Sequence, residues 1–230
     1  MEDNTLNIQK AIDLKIDTGI CNEQCVPILE DVSGYIKLNK EKDDFTLAVI
    51  DLKSYNTFDN FLEQAIGRRR RAEYRKTKKE GYVVRILSAE ERNNRRDELY
   101  TINTSATERQ GKMNEEYFEY PKEVVEHTCN HHYQKTYGVF RPDNDWIGYI
   151  YPRFCGEVAA TYRILGHAGH FGKINFMLFL MFEMIWDIYE NDPQIHYLMY
   201  HLMYVGSQGL QDWKRHAGFK PVRFMKGTIG

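Results

Sequence analysis

Residues 158–189 run VAATYRILG, then HAGHFGK, then INFMLFLMFEMIWDIY. The first piece, 158–166, is short, rich in strand formers and bounded by glycine, the pattern of a β-strand. The second is a glycine-containing loop, Gly166-His167-Ala168-Gly169-His170-Phe171-Gly172-Lys173. The third, 174–189, is almost wholly apolar and carries Asn175, Glu183 and Asp187. On helical geometry Asn175, Glu183, Asp187 and Glu190 fall in one narrow polar stripe, so the remainder of that helix must be buried against a sheet. The segment is too short and too charged to cross a bilayer. A strand that feeds a glycine turn and a helix start presents backbone N–H groups to an anion. The plainer reading is an ordinary strand-to-helix turn, and many of those contain glycine.

Working outward, residues 133–140 and 146–154 are two more strand candidates. Pro142-Asp143-Asn144-Asp145 supplies turn chemistry between them, and Cys155-Gly156 turns the chain into 158–166. These read as three consecutive antiparallel strands. Downstream, 195–205 (IHYLMYHLMYV) reads as a buried strand. Gly206-Ser207-Gln208-Gly209 then opens a helix through His216, Gly218-Phe219 ends it, and 220–224 forms a last short strand. Nearer the start, 45–52 (FTLAVIDL) is strand-like. From Thr57, Phe58, Phe61, Leu62, Ala65 and Ile66 recur at helical spacing. Asp59 suits the first turn of that helix and the basic run its far end, with Gly81 as the stop. Residues 82–87 read as a strand and 90–103 as a helix followed by a polar loop.

The chain has 230 residues, 42% hydrophobic and 28% charged. That composition excludes disordered, collagenous and coiled-coil chains. Net charge is only −2, but it is unevenly spread. Residues 1–60 hold 12 acidic and 6 basic side chains, whereas 68–79 (RRRRAEYRKTKK) hold 8 basic and 1 acidic. The acidic residues 1–45 read as an N-terminal extension ahead of one domain at 46–230. Met1-Glu2-Asp3-Asn4 lacks the basic start and apolar core of a secretory signal. The four cysteines, Cys21, Cys25, Cys129 and Cys155, show no dense pairing pattern, and reduced thiols in a cytoplasm are expected.

The segment Gly206-Ser207-Gln208-Gly209-Leu210, followed by Trp213-Lys214-Arg215-His216-Ala217-Gly218-Phe219, resembles the closing motif of the GNAT superfamily of N-acyltransferases. With the three strands and the glycine loop, the resemblance covers roughly residues 82–224. Arg68-Arg69-Arg70-Arg71 ahead of a Gly-terminated turn further resembles Fem-type transferases. The resemblance implies an α/β (α+β) fold, a mixed and mostly antiparallel sheet flanked by helices. It also implies acetyl-CoA or another acyl-CoA as donor and an amine as acceptor. The donor pyrophosphate would rest on the amides of Gly169, His170, Phe171, Gly172 and Lys173, with Ser207 and Gly209 completing the donor site. The thioester would lie between splayed strands at 158–166 and 195–205. The acceptor would enter beside Asn103, Ser105, Arg109 and Gln110, a polar loop that could equally be plain solvated surface. Two positions depart from the usual pattern. The loop spacing differs from the usual Arg/Gln-x-x-Gly-x-Gly/Ala. Lys214 stands where acetyltransferases often carry a tyrosine that protonates the leaving thiolate, and where Fem-type relatives carry lysine.

An amine must lose a proton to attack, so a carboxylate or imidazole near the acyl carbon is required. Glu157, before the 158–166 strand, and His167, at its end, are the candidates, against the simpler readings of a turn glutamate and a strand-end histidine. Tyr162 and Tyr200 are candidates to line the cleft. The basic helix has three readings: a solvated or internally paired face, a nucleic-acid site, or a grip on a transfer RNA, with Arg68, Arg69, Arg71 and Arg75 as contacts. Fem-like aminoacyl transfer and non-catalytic nucleic-acid binding are therefore the alternative functions. His127, Cys129 and His131 share one strand face, but neighbouring strand residues seldom close a tetrahedral site and no Cys-x-x-Cys completes it. Cys21-x3-Cys25 is distant in sequence. No metal is expected.

Overall fold

Alternate residues along the strands feed different cores, and that alternation sets the layers. The computed structural model describes residues 9–12, 23, 25–30, 32, 46–109, 111–126, 129–172 and 174–224. Its strands are β1 (Gln9–Ile12), β2 (Leu47–Asp51), β3 (Val83–Ile86), β4 (His132–Gln134), β5 (Tyr137–Phe140), β6 (Trp146–Cys155), β7 (Val158–Gly166), β8 (Tyr197–Leu202) and β9 (Lys220–Phe224). They form one sheet in the order β1-β9-β2-β8-β7-β6-β5-β3, with β4 also paired to β6. The β1/β9 and β7/β8 pairs are parallel and the others antiparallel. The helices are α1 (Phe58–Ala65), α2 (Arg68–Lys79), α3 (Ala89–Asn94), α4 (Arg96–Thr104), α5 (Phe176–Asn191) and α6 (Gln208–His216). The fold is thus mixed α/β, a mostly antiparallel sheet flanked by helices.

Ala48, Ile50, Val139, Ile147 and Leu198 pack with α1, α2 and α5 on one face. Their strand neighbours point the other way. Leu47, Val49 and Met199 meet Ile28 and Val32 from the helical turn at 25–32. Phe140, Trp146, Tyr149 and Leu165 meet Leu99 and Ile102 of α4. The sheet is therefore covered on both faces.

α5 dominates its face. Eleven of its side chains are buried, and two acids of the expected polar stripe, Glu183 and Asp187, are covered as well. Glu183 accepts from Tyr74 Oη at 2.6 Å and Lys78 Nζ at 2.9 Å, because α2 lies across that side. Asp187 accepts from Tyr137 Oη at 2.6 Å and Lys135 Nζ at 3.0 Å. Asp192, just past the helix, accepts from the same Lys135 and from Tyr133 Oη, each at 2.5 Å. Burial and the Asp187 carboxylate beside it push the Tyr137 hydroxyl far above its usual pKa. The buried acids are thus satisfied, as low-dielectric surroundings require. Trp186, Glu190 and Asn191 are the positions left exposed.

Two expected helices are each broken in two. The run from Thr57 toward Gly81 stops at Ile66, which is extended (φ −109, ψ 124). Gly67 then starts α2 afresh. Ile66 is 3% exposed, so it turns inward rather than continuing the helix. Arg71 caps the end of α1 by donating to the carbonyl of Glu63 at 3.0 Å. The 90–103 segment breaks at Arg95 (φ −112, ψ 26), where the Asn93 side chain is bonded to both backbone groups of Val124.

The expected strand at 133–140 is also two strands, and the reason lies in its partner. Residues 134 and 137 pair with Arg153 and Ile150, leaving Lys135 and Thr136 opposite Pro152 and Tyr151. Pro152 has no N–H for the ladder. On its other side β7 shifts register at the same point, with Tyr151 opposite Arg163 but Pro152 opposite Thr161, which leaves Tyr162 as the extra residue of a bulge. At the free edge of the sheet, β3 is four residues long. Its Arg85 folds back with Cζ 3.9 Å from the Phe140 ring centre and donates to Asn144 Oδ1 at 2.8 Å.

Gly218, which ends α6, has φ +93, and a Cβ there would stand 2.9 Å from Phe61 Cε2. Strain and overpacking add at this position. Gly218→Ala should lower unfolding free energy by about 2–4 kcal/mol. In a urea titration this appears as a lower midpoint at unchanged slope; an unshifted midpoint would refute this account of the α6–β9 turn.

Candidate functional site

β7 and β8 pair only at Val158–Tyr197, Ala159–Leu198 and Ala160–Met199. The last link is Thr161 Oγ1 donating to the Met199 carbonyl at 3.1 Å. Beyond it the strands part, and the start of α5 packs against β6 and β7. Phe176 and Met177 fit there only because Gly148 and Gly166 leave room: a Cβ at Gly166 would come within 2.7 Å of both side chains. Into the gap opens a cavity of about 450 Å³. Its walls are Ile164–Gly166 of β7, Tyr200 of β8, Gly209, Leu210 and Trp213 of α6, Met177 below, and Ala106, Glu108 and Arg109 from the loop after α4.

Arg109 closes one side. Its Nη1 donates to the Gly166 carbonyl at 2.6 Å and its Nη2 to Ser105 Oγ at 2.9 Å. Ser105 in turn accepts from the Ala168 amide at 3.0 Å. The loop after α4 is thereby tied to the end of β7. Burial lowers the Arg109 guanidinium pKa, and its Nε is buried with no hydrogen-bond partner.

A second cleft of about 440 Å³ opens at the start of α5. Gly172, Ile174 and Asn175 form one side, and Arg69, Arg70, Glu73, Lys76 and Thr77 of α2 the other. Phe171 lines both this cleft and the cavity, so the two meet at its ring. The glycine loop and the basic helix, read separately in the sequence, are opposite walls of one cleft.

Few of the expected residues point into the cavity as foreseen. Glu157 belongs to the far end of β7, about 23 Å of strand away from Ile164. It pairs with His196 Nδ1 at 2.8 Å, and its carbonyl accepts the amides of His196 and Tyr197. It holds β8 in place rather than facing an acyl group. His167 lies nearer, but its Nδ1 accepts from the Gly169 amide at 3.1 Å and caps a short turn. The His170 and Phe171 amides donate to the carbonyls of His167 and Ala168. Three of the amides expected to hold pyrophosphate are thus engaged within the loop. Lys173 and Gln110 lie outside the described residues. Asn103 is buried, accepts from Tyr149 Oη at 2.7 Å and faces away from the cavity. Ser207 caps α6, accepting from the Leu210 amide at 3.3 Å. Arg109, Phe171, Gly209 and Tyr200 are the anticipated residues that do line the cavity.

On α2, of the four arginines expected as contacts, Arg68, Arg69, Arg71 and Arg75, Arg69 alone lines the cleft. Arg71 and Arg75 both pair with Glu63 of α1, while Arg69, Arg70 and Lys76 face the cleft. Burial of Glu73 works against its ionisation, but hydrogen bonds from Arg70 and Arg69 win and hold its pKa below the usual value. Glu108, unremarked in the sequence, is the one carboxylate among the described residues that line the cavity. Only its place in the loop after α4 could have flagged it.

Lys214 is fully buried. Its Nζ donates to the carbonyls of Leu202 at 2.5 Å and Val205 at 3.1 Å, pinning the end of β8 to α6. It lies behind Tyr200, 5.3 Å from the ring centre, and Tyr200 rather than Lys214 meets the cavity.

No protein-family profile matches the chain, and no curated protein matches its sequence. Among solved structures it is similar to the C-terminal domain assigned to a lysylphosphatidylglycerol synthetase of Agrobacterium fabrum, with a TM-score of 0.51 at 12% identity over 77% of this chain and 58% of that one. The L-PGS structure from Bacillus licheniformis has a TM-score of 0.48 at 10% identity, over 77% of this chain and 58% of that one. A GCN5-related N-acetyltransferase from Kribbella flavida has 0.44 at 9%, over 77% and 54%. The chain spans less than two thirds of the length of each. The first likeness shows a shared fold. Among the described residues, no helix is long and apolar enough to cross a membrane.

Burial lowers the Lys214 pKa to about 8 from 10.5. The folded protein therefore sheds this proton before the unfolded chain does, and the group's contribution to stability grows as pH rises from about 8 toward 10.5. Lys214→Met should cost about 2–4 kcal/mol at neutral pH by stripping the donor from two carbonyls. It should also flatten stability against pH across that window. Urea unfolding of both proteins at several pH values tests this, and parallel curves would remove Lys214 as the titrating group.

Proposed function

We propose that this chain is a GNAT-type N-acyltransferase that moves an acyl group from acyl-CoA, most simply acetyl-CoA, to an amine in the cytoplasm. The observation that carries the reading is the parting of β7 and β8 over an apolar cavity that joins a basic cleft. A donor with an anionic head and a long arm fits that shape. Its phosphates would lie between Gly172 and the Arg69, Arg70 and Lys76 side chains. The arm would pass Phe171 and run along the β7 edge, where β8 no longer pairs with the strand and the arm's amides would take its place. The acyl carbon would then lie near Tyr200 and Trp213. Glu108, at the mouth, takes the place of Glu157 and His167 as the proposed base for the incoming amine. Tyr200 is the proposed acid toward the leaving group.

A second reading is aminoacyl transfer from a transfer RNA. It is favoured by the loop amides being engaged internally, so that the cations of α2 rather than the loop would hold the phosphates. The fold neighbour whose name ties it to lysylphosphatidylglycerol is compatible with such a donor.

Calorimetric titration with acetyl-CoA, CoA and aminoacyl-tRNA at two salt concentrations separates these readings. Gly172 has φ +90, so its replacements should be compared with Asn, which tolerates that backbone. Gly172→Asp should weaken binding of acetyl-CoA by roughly tenfold or more relative to Gly172→Asn. Equal affinities would remove Gly172 from the phosphate site. Binding of aminoacyl-tRNA alone would overturn the CoA reading, and binding of neither would overturn both.

A further inference from the structure

At the end of the sheet opposite the cavity, a cysteine from the N-terminal region meets a turn ahead of β4. Cys25, Cys129 and His132 are all buried, and their ligand atoms, two sulfurs and an imidazole nitrogen, lie within 4.8 Å of one another. We propose that these three side chains bind a zinc ion that fastens residues 25–32 to the sheet.

The geometry favours a metal over a simple hydrophobic contact. In a tetrahedral zinc site, bond lengths of about 2.3 Å to sulfur and about 2.0 Å to nitrogen put neighbouring S and N ligands about 3.6 Å apart. Cys129 Sγ and His132 Nδ1 are 3.9 Å apart, long for a hydrogen bond and close to that ligand edge. The backbone supplies a second, independent sign. The amides of His131 and His132 both point at Cys129 Sγ, at 3.4 and 3.3 Å. Two N–H donors aimed at one sulfur stabilise a thiolate, the form that binds metal. The pattern is Cys129-x2-His132 in a turn that hands the chain to β4, not the strand alternation of 127, 129 and 131 considered from the sequence. His127 and Cys21 lie outside the described residues. Two sulfurs and an imidazole suit zinc over the hard cations magnesium and calcium.

The placement indicates a structural role. His132 pairs with Cys155 at the β6–β7 turn, about 23 Å of strand from the cavity walls. The ion would touch no reacting atom. It would instead join Cys25, at the start of a helical turn whose Ile28 and Val32 pack beneath β2 and β8, to the strand system more than a hundred residues further on. A preformed site of this kind does not survive unfolding, so metal binding adds to folding stability. Arg153 Nη1 donates to the Pro27 carbonyl at 3.0 Å and holds the same turn from the other side.

The experiment uses the full chain, purified under reducing conditions without chelator from zinc-supplemented cells. Elemental analysis should find one zinc per chain. Cobalt substitution should give thiolate-to-cobalt charge-transfer absorption with the d–d bands of a tetrahedral site. Chelation should lower the melting temperature, and added zinc should restore it. Cys129→Ser and His132→Asn should each weaken zinc binding by at least roughly tenfold, whereas Cys155→Ala, at a buried cysteine outside the trio, should keep it. If a ligand variant does not fold, the wild-type metal content and chelation shift still decide. Wild-type protein that neither carries zinc nor binds it on titration overturns the proposal. So does a Cys25–Cys129 disulfide found by peptide mapping of protein purified without reductant, or full zinc content in the Cys129→Ser protein.

Discussion

The packing of α5 against the sheet is the constraint on which the other elements depend. Its side chains are apolar almost all round, so it must be enclosed, and it links two parallel strands, β7 and β8. Its first turn cannot lie flat on the sheet unless the strands beneath give way. Gly148 and Gly166 give way by having no side chain, and β8 gives way by leaving β7. At its far end, Lys135 bridges Asp187 and Asp192, and the Tyr133 and Tyr137 hydroxyls complete the network, which fixes the helix along its length. Burying that acidic pair without a lysine would cost several kcal/mol, so helix and strands are matched in charge as well as in shape.

This arrangement separates scaffolding from chemistry. Several residues with catalytic character, Glu157, His167 and Lys214 among them, are occupied in holding backbone: one at the β8 start, one in the loop cap, one at the β8 end. What is left facing the cavity is modest in chemical terms, a tyrosine, a tryptophan, a half-buried arginine and one carboxylate at the mouth. That economy agrees with a transfer reaction in which strand geometry positions the donor and a few groups move protons.

The order of elements was legible because hydrophobic period and turn chemistry are local. The strands at 158–166 and 220–224 could be read to the residue, and the helix read at 174–189 runs from Phe176 to Asn191. The errors share a cause, which is that the deciding atom is on another segment. The 133–140 strand is split by Pro152 on its neighbour. The helix after Thr57 breaks because Ile66 has a core to enter. The acids of α5 looked like a solvent stripe because α2 and Lys135 were not yet beside them. The site suffered in the same way. Glu108 carries no pattern in the sequence, and the Cys25–Cys129–His132 group joins positions a hundred residues apart. The glycine loop and the arginine run were each visible, but not that they face each other across one cleft.

The strand order has a further bearing on how the protein behaves at high concentration. An edge strand offers its open main-chain groups to any other extended chain. At β3 that edge is only four residues long, and Arg85 is drawn back over Phe140 of the neighbouring β5. Val83 and Ile86 stay exposed there, so with the cation turned inward it is the shortness of the strand that limits how much main chain an incoming copy can pair with.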